Sequence, residues 1–307
     1  MKTLKEYIIE GILDIEDNIE NLNVKSLIED FIKENYEIKY EKPQIKKKGN
    51  KYIVSTNGTV EVINKNITEL TNGLFEWGEV KGFYCIGCTL LKDLTGAPKK
   101  VGENFRCNRC TSLKDLIGAP KEVDGNFSCS VCTSLESLKG APKEVRENFR
   151  CADCTSLKDL IGAPKKIGES FDCQNCASLE SLKGAPKEVG RDFYCNDCTS
   201  LKDLKGVPEK VEWDFYCYGC TSLQSLKGAP KEIGGDFFCS RCTSLESLKG
   251  APEKVGGNFS CMDCTSLESL KGAPEKVGKI FNCKRCRKKF TEEDIRAVCD
   301  VKGEIVV

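Results

Sequence analysis

Histidine is missing from this chain. Its absence removes Ser-His-Asp and Cys-His nucleophile pairs, imidazole bases and histidine metal ligands in one step. An excess of either charge is missing too, since 47 basic and 47 acidic side chains give a formal net charge of zero. That balance argues against a basic nucleic-acid binder and against an acidic tail protein. No apolar run approaches the length of a membrane span. The opening MKTLKEYIIEGILDIEDNIE breaks its apolar residues with charge every two or three positions, unlike a signal peptide. The expectation is a cytoplasmic chain with reduced thiols and with neither a membrane nor a nucleic-acid partner. No glycine-rich phosphate loop is present; the glycines of GAP and VGG read as corners.

Cysteine is what the chain has in excess, 21 of its 307 residues. All but Cys299 fall into CxxC pairs, from Cys85/Cys88, Cys107/Cys110 and Cys129/Cys132 to Cys283/Cys286. The first cysteines of successive pairs stand 22 residues apart (107 − 85) without an insertion. A phenylalanine lies two residues before each pair, beginning Phe83, Phe105, Phe127 and ending Phe281. The unit reads F-x-C-x-x-C-T-S-L-x-x-L-x-G-A-P-x-x-V-x-x-x. Nine units are complete, and the tenth loses its leucines and its GAP after Cys286.

A strict period of this length predicts a solenoid, in which each turn buries its apolar side on its neighbours. Phe105 and Cys107 alternate with Arg106, the in-out-in pattern of a strand. Leu113 and Leu116 read as a second short extended piece, and Gly118-Ala119-Pro120 as a corner. Such a turn has no room for a long helix. The fold class expected is a mainly β, flat-walled repeat solenoid with a small helical N-terminal segment and a short C-terminal cap.

The pattern F-x-C-x-x-C-T-S-L-x-S-L-x-G-A-P-x-x-V-G resembles short leucine-rich repeats of bacteriophage and gut-bacterial genomes. It is more distantly similar to the treponemal type, F-x-x-C-x-S-L-x-x-I-x-x-P-x-x-V. The resemblance covers about residues 60–286, and LKEYIIEGILDIED resembles the leader that often begins such phage proteins. Many members carry Asn where this chain has the second Cys. The resemblance implies a fold and, since such repeats are mostly interaction modules, no activity.

The chain divides on this reading into an N-terminal helical segment (1–36), a linker (37–50), a capping turn (51–80), the solenoid (81–286) and a C-terminal cap (287–307). Residues 3–20 carry Leu4, Tyr7, Ile8, Ile12 and Ile15 at helical spacing, and a second helix from about Val24 to Tyr36 carries Leu27, Ile28, Phe31 and Ile32. The linker is polar, with a Lys46–Lys48 run, and Asn57-Gly58 signals a hairpin inside the capping turn. Thr291 and Asp294 resemble a capping box, and 301–307 offers a last strand.

The cysteines admit two readings. CxxC pairs at this separation suit four-cysteine zinc sites, or iron–sulfur clusters, with Cys107, Cys110, Cys129, Cys132 and their equivalents as ligands. The other reading is a ladder of buried thiols with no cofactor. It is favoured because the residues inside each pair vary freely and no alternation marks pairs of turns. Each turn also carries a Phe, two Leu and a Val, about 1.5–3 kcal/mol each when buried, so a metal is not needed for folding. Disulfides between turns are disfavoured by parallel side-chain geometry. Cys299 reads as a buried structural thiol.

A partner is sought where outward positions vary. The residue between Phe and the first Cys is the outward strand position, and it brings Tyr194, Tyr216 and Phe238 onto consecutive turns, about 4.8 Å apart. Trp213 and Tyr218 come from the same region, and Arg106 and Arg150, with Arg109, form a basic counterpart. Tyr and Trp commonly anchor protein interfaces. The competing reading is that these rings only stabilise the sheet surface. The function expected is a non-enzymatic scaffold for protein–protein interaction, with a metal-binding cysteine array as the alternative.

Overall fold

The computed structural model describes residues 24–49, 51–208 and 210–307. The first amphipathic stretch, 3–20, lies outside the described residues. The second forms helix α1 (Val24–Asn35), with Ile28 and Ile32 buried and Leu27 and Phe31 half-buried.

The solenoid begins with a longer strand system. Strands β1 (Tyr36–Lys39) and β2 (Gln44–Lys48) pair antiparallel with β3 (Lys51–Val62). Strand β3 runs parallel to β4 (Glu76–Tyr84), whose end is the first solenoid turn. Residues 36–48 are thus largely strand, where a linker was expected. Their pattern is too polar to read as strand because they lie at the outer edge, with Tyr36 buried, Ile38, Pro43 and Ile45 half-buried and the rest exposed. The Lys46–Lys48 run lies on that edge, where charge discourages pairing with another chain. Asn57-Gly58 makes no hairpin either. It lies inside β3, where the register with β4 shifts between Thr56 and Thr59, the mark of a bulge.

From Phe83 onward each turn contributes a rung to two parallel walls. On one wall Phe83 pairs with Phe105, Phe105 with Phe127, and so on to Phe281 with Ile305. On the other, Val80 pairs with Val101, then Val123, ending at Val277 with Val301. The second wall is therefore built by the second and third residues after Pro, such as Glu122–Val123, and not by the leucines. The leucines form a third, buried edge. Leu116 N–H donates to Lys139 O at 2.8 Å on the next turn, but Leu113 N–H donates back to Cys110 O at 3.1 Å. With half its bonds turned inward, this edge cannot run as a continuous ladder.

The core is a set of columns. Phe, both Cys, both Leu and Val are buried in nearly every turn, and the phenylalanine rings follow one another at 4.9–5.9 Å. The corner requires glycine: Gly118 has φ +89°, and a Cβ there would come 2.3 Å from the Leu94 carbonyl carbon. At the far end, helix α2 (Glu292–Arg296) takes the place of the leucine edge. Thr291 and Asp294 close its capping box, and Phe290, Ile295 and Cys299 are buried. Val301 and Ile305 supply the last rung. Among the described residues no helix is long and apolar enough to cross a membrane.

Candidate interaction surface

The outward column of the phenylalanine wall is not uniformly exposed. Ser128 and Ser260 are buried, Tyr194, Tyr216 and Phe238 are half-buried, and Arg106 and Arg150 are exposed. Residues in this column cover one another along the axis, which one turn of sequence does not reveal. Tyr194 and Tyr216 stack at 4.8 Å with an interplanar angle of 5°, and Tyr216 and Phe238 at 5.4 Å and 29°. Trp213 is 53% exposed, with the Arg191 guanidinium 5.0 Å from its ring centre. Tyr218 is half-buried and its hydroxyl accepts from Asn196 Nδ2 at 3.2 Å. These five aromatics come from three consecutive rungs. Arg106 and Arg150 lie apart from them, and Arg106 is stacked on Tyr84 at 5.2 Å.

Beside the rings runs a polar ladder that sequence reasoning missed. From Asn104 to Asn258 the residue before each Phe accepts the next turn's backbone N–H on its side-chain oxygen. Asn126 N–H donates to Asn104 Oδ1 at 2.9 Å, Asp214 N–H to Asp192 Oδ1 at 3.1 Å and Asp236 N–H to Asp214 Oδ1 at 2.7 Å. The ladder also anchors the rings: Tyr194 OH donates to Asp192 Oδ2 at 3.3 Å and Tyr216 OH to Asp214 Oδ2 at 2.9 Å. Burial, followed by the Asp192 carboxylate, pushes the Tyr194 phenol up to about 12. The signal was present as Asn104, Asn126, Asn148, Asp192, Asp214 and Asp236 in one column.

The cysteines fill the interior and carry free thiols throughout. Each second Cys reaches back to the carbonyl of the first Cys of the preceding turn. Cys132 Sγ donates to Cys107 O at 3.1 Å, Cys198 Sγ to Cys173 O at 3.2 Å and Cys242 Sγ to Cys217 O at 3.2 Å. The thiol thus satisfies a buried acceptor. Burial holds the Cys217, Cys239 and Cys242 thiols well above their ordinary value and pushes Cys264 up to about 12. A zinc or iron–sulfur site asks for the opposite, thiolates converging on one point. Among the described residues no group of three or more Cys, Asp or Glu is arranged to hold a metal ion, so the geometry lends the metal alternative no support.

The interior of each CxxC is not free, as its variability suggested. Its second residue adopts a left-handed conformation in every turn, from Gly87 (φ +71°) and Arg109 (φ +60°) to Arg285 (φ +59°). This kink lets the second Cys turn inward.

The chain matches no family model and no curated protein. Among solved structures it is similar to a leucine-rich repeat protein from Bacteroides ovatus, with 15% identity over 87% of this chain and 99% of that chain and a TM-score of 0.32. At that score the likeness carries no argument; the solenoid rests on the paired rungs described above.

Proposed function

We propose that this chain is a non-enzymatic, leucine-rich-repeat-like scaffold of phage or gut-bacterial type that captures another protein in the reducing cytoplasm. Its docking surface is the wall around Tyr194, Tyr216 and Phe238, with Trp213 and Tyr218 at its side. The observation that carries this reading is the contrast between columns. Phe, Cys, Leu and Val scarcely vary from turn to turn, while five aromatics gather on the outward side of three neighbouring rungs, one of them 53% exposed. Large aromatics on a rigid support supply contact area at small conformational cost.

The test replaces the column and follows capture and folding together. Tyr194→Ser, Tyr216→Ser and Phe238→Ser combined should abolish capture of partner protein by the immobilised full chain. Circular dichroism and melting temperature should change little. Loss of folding would instead assign these rings to the sheet surface alone.

A further inference from the structure

On consecutive rungs the outward column reads Arg150, Asp172, Tyr194, Tyr216, Phe238, Ser260. Inside the aromatic run, ring faces are covered by neighbouring rings. The face of Tyr194 toward Asp172 is different, because its register partner is a short carboxylate. The same wall shows what such a face accepts. Tyr84 and Arg106 are register partners, and the Arg106 guanidinium lies 5.2 Å from the Tyr84 ring centre. Arg191 lies over Trp213 at 5.0 Å in the same manner. Asp172 is too short to cover Tyr194 in this way. Its Oδ1 accepts from Gln174 N–H at 3.1 Å and its Oδ2 from Gln174 Nε2 at 3.5 Å, which fix a carboxylate of the opposite charge beside the ring.

The surroundings favour a cation. Asp192 and Asp214 hold the hydroxyls of Tyr194 and Tyr216, Asp236 follows on the next rung, and Asp197 is half-buried nearby in sequence. Of the local cations, Arg191 is engaged with Trp213, and Arg150 on the preceding rung acts on Asp172 through its charge without coming within ion-pair distance among the described residues. Asn196 is 2% exposed, spends its Nδ2 on Gln174 Oε1 (2.9 Å) and Tyr218 OH (3.2 Å), and has no partner for Oδ1. An unfilled acceptor thus lies beside the rings. Burial also raises the Asp172 carboxyl above its ordinary value, so a cation beside it would favour the ionised form.

We propose that this face binds an extended, arginine-bearing segment of another protein, one guanidinium seating on the open face of Tyr194 between Asp172 and Asp192. This deepens the docking role proposed above and rests on it. A planar guanidinium stacks on a ring while donating to carboxylates at its edge, which an ammonium does less well.

The probe is a fluorescein-labelled, capped Gly-Arg-Gly-Arg-Gly-Arg-Gly peptide, with Lys and Gln counterparts, titrated by anisotropy against the full chain at about 0.15 M salt. The arginine peptide should bind about tenfold more tightly than the glutamine peptide, and more tightly than the lysine one. Asp172→Asn and Tyr194→Leu should each weaken it about three- to tenfold at unchanged melting temperature. Glu180→Gln, which removes the same charge from the leucine edge, should have no effect. Equal binding of the arginine and glutamine peptides overturns the proposal, as does equal weakening by Glu180→Gln and Asp172→Asn. If the triple serine variant loses its partner while wild type ignores the arginine peptide, the wall docks a partner of other chemistry: this inference falls and the docking role stands. If neither ligand responds, both fall. Sedimentation supplies a further arm. Self-association abolished by Asp172→Asn would make the occupant a second copy of this chain, and would overturn a foreign segment.

Discussion

Val131 shows how far stacking overrides residue preference. It stands at φ +63°, in the place held by Gly87, Asp153, Asn175 or Gly219 in other turns. A side chain in this region costs about 1–2 kcal/mol per residue, and β-branching makes it worse. The conformation persists because Val131 N–H donates to Ala152 O at 2.8 Å on the next turn, a bond repeated along the stack. Val131→Asn should therefore stabilise the protein by about 1 kcal/mol and raise its melting temperature. A lower melting temperature would show that the valine side chain contributes more than the strain removes. The left-handed site was only faintly legible. Asn, Asp and Gly occupy six of the ten places, but Arg109, Val131, Arg241 and Arg285 dilute the signal until the column looks unconstrained.

Most members of the thiol ladder are held in the protonated form; Cys132 and Cys286 are exceptions, lowered by the hydrogen bonds they share with the Cys107 and Cys261 thiols. Cys264 has an ordinary value of 9.0 and is pushed up to about 12 by burial, with Cys217, Cys239 and Cys242 raised in the same sense. The unfolded thiol thus ionises before the folded one. Below pH 9 both forms hold the proton and the ladder's contribution is intact. As pH rises from 9 toward 12, the unfolded state loses protons first and stability falls, by up to about 1.4 kcal/mol per pH unit for each fully buried thiol. Melting temperature should hold steady from pH 7 to 8.5 and drop steeply above 9. A flat profile to pH 11 would mean that the thiols are not sealed from solvent. Burial of the cysteines was legible from the strand pattern of Phe105-Arg106-Cys107. The bond from Cys132 to Cys107 O was not, because it joins residues 25 apart on different turns.

At the scale of the molecule, the solenoid is nearly a one-dimensional crystal of turns. Each rung touches its neighbours, so its stability is close to a sum of turn and interface contributions. Phe127 pairs with Phe149 as Phe149 pairs with Phe171, and Val123 with Val145 as Val145 with Ile167. Excising Cys129–Arg150 joins Ser128 to Cys151 in the same register. That deletion should leave a folded protein with an unchanged circular dichroism spectrum per residue and a melting temperature within a few degrees. A deletion one residue shorter should unfold or aggregate, since a one-residue slip sends inward side chains out. If both deletions behave alike, the columns are not held in register as described.

The repeat length, the inward columns and the β solenoid followed from the sequence alone. A fixed period and the burial of apolar side chains are properties of each unit that repetition makes visible. The tertiary structure decided the rest. It put the second wall at Glu122–Val123 rather than at the leucines, turned the polar 36–48 segment into edge strands and imposed the left-handed residue before each second Cys. It also determined which ring faces are covered and which, at Tyr194 beside Asp172, is left to a carboxylate. The physical reason is common to all of these. Hydrogen bonding and exposure in a solenoid depend on the turns above and below, and no single turn of sequence carries them.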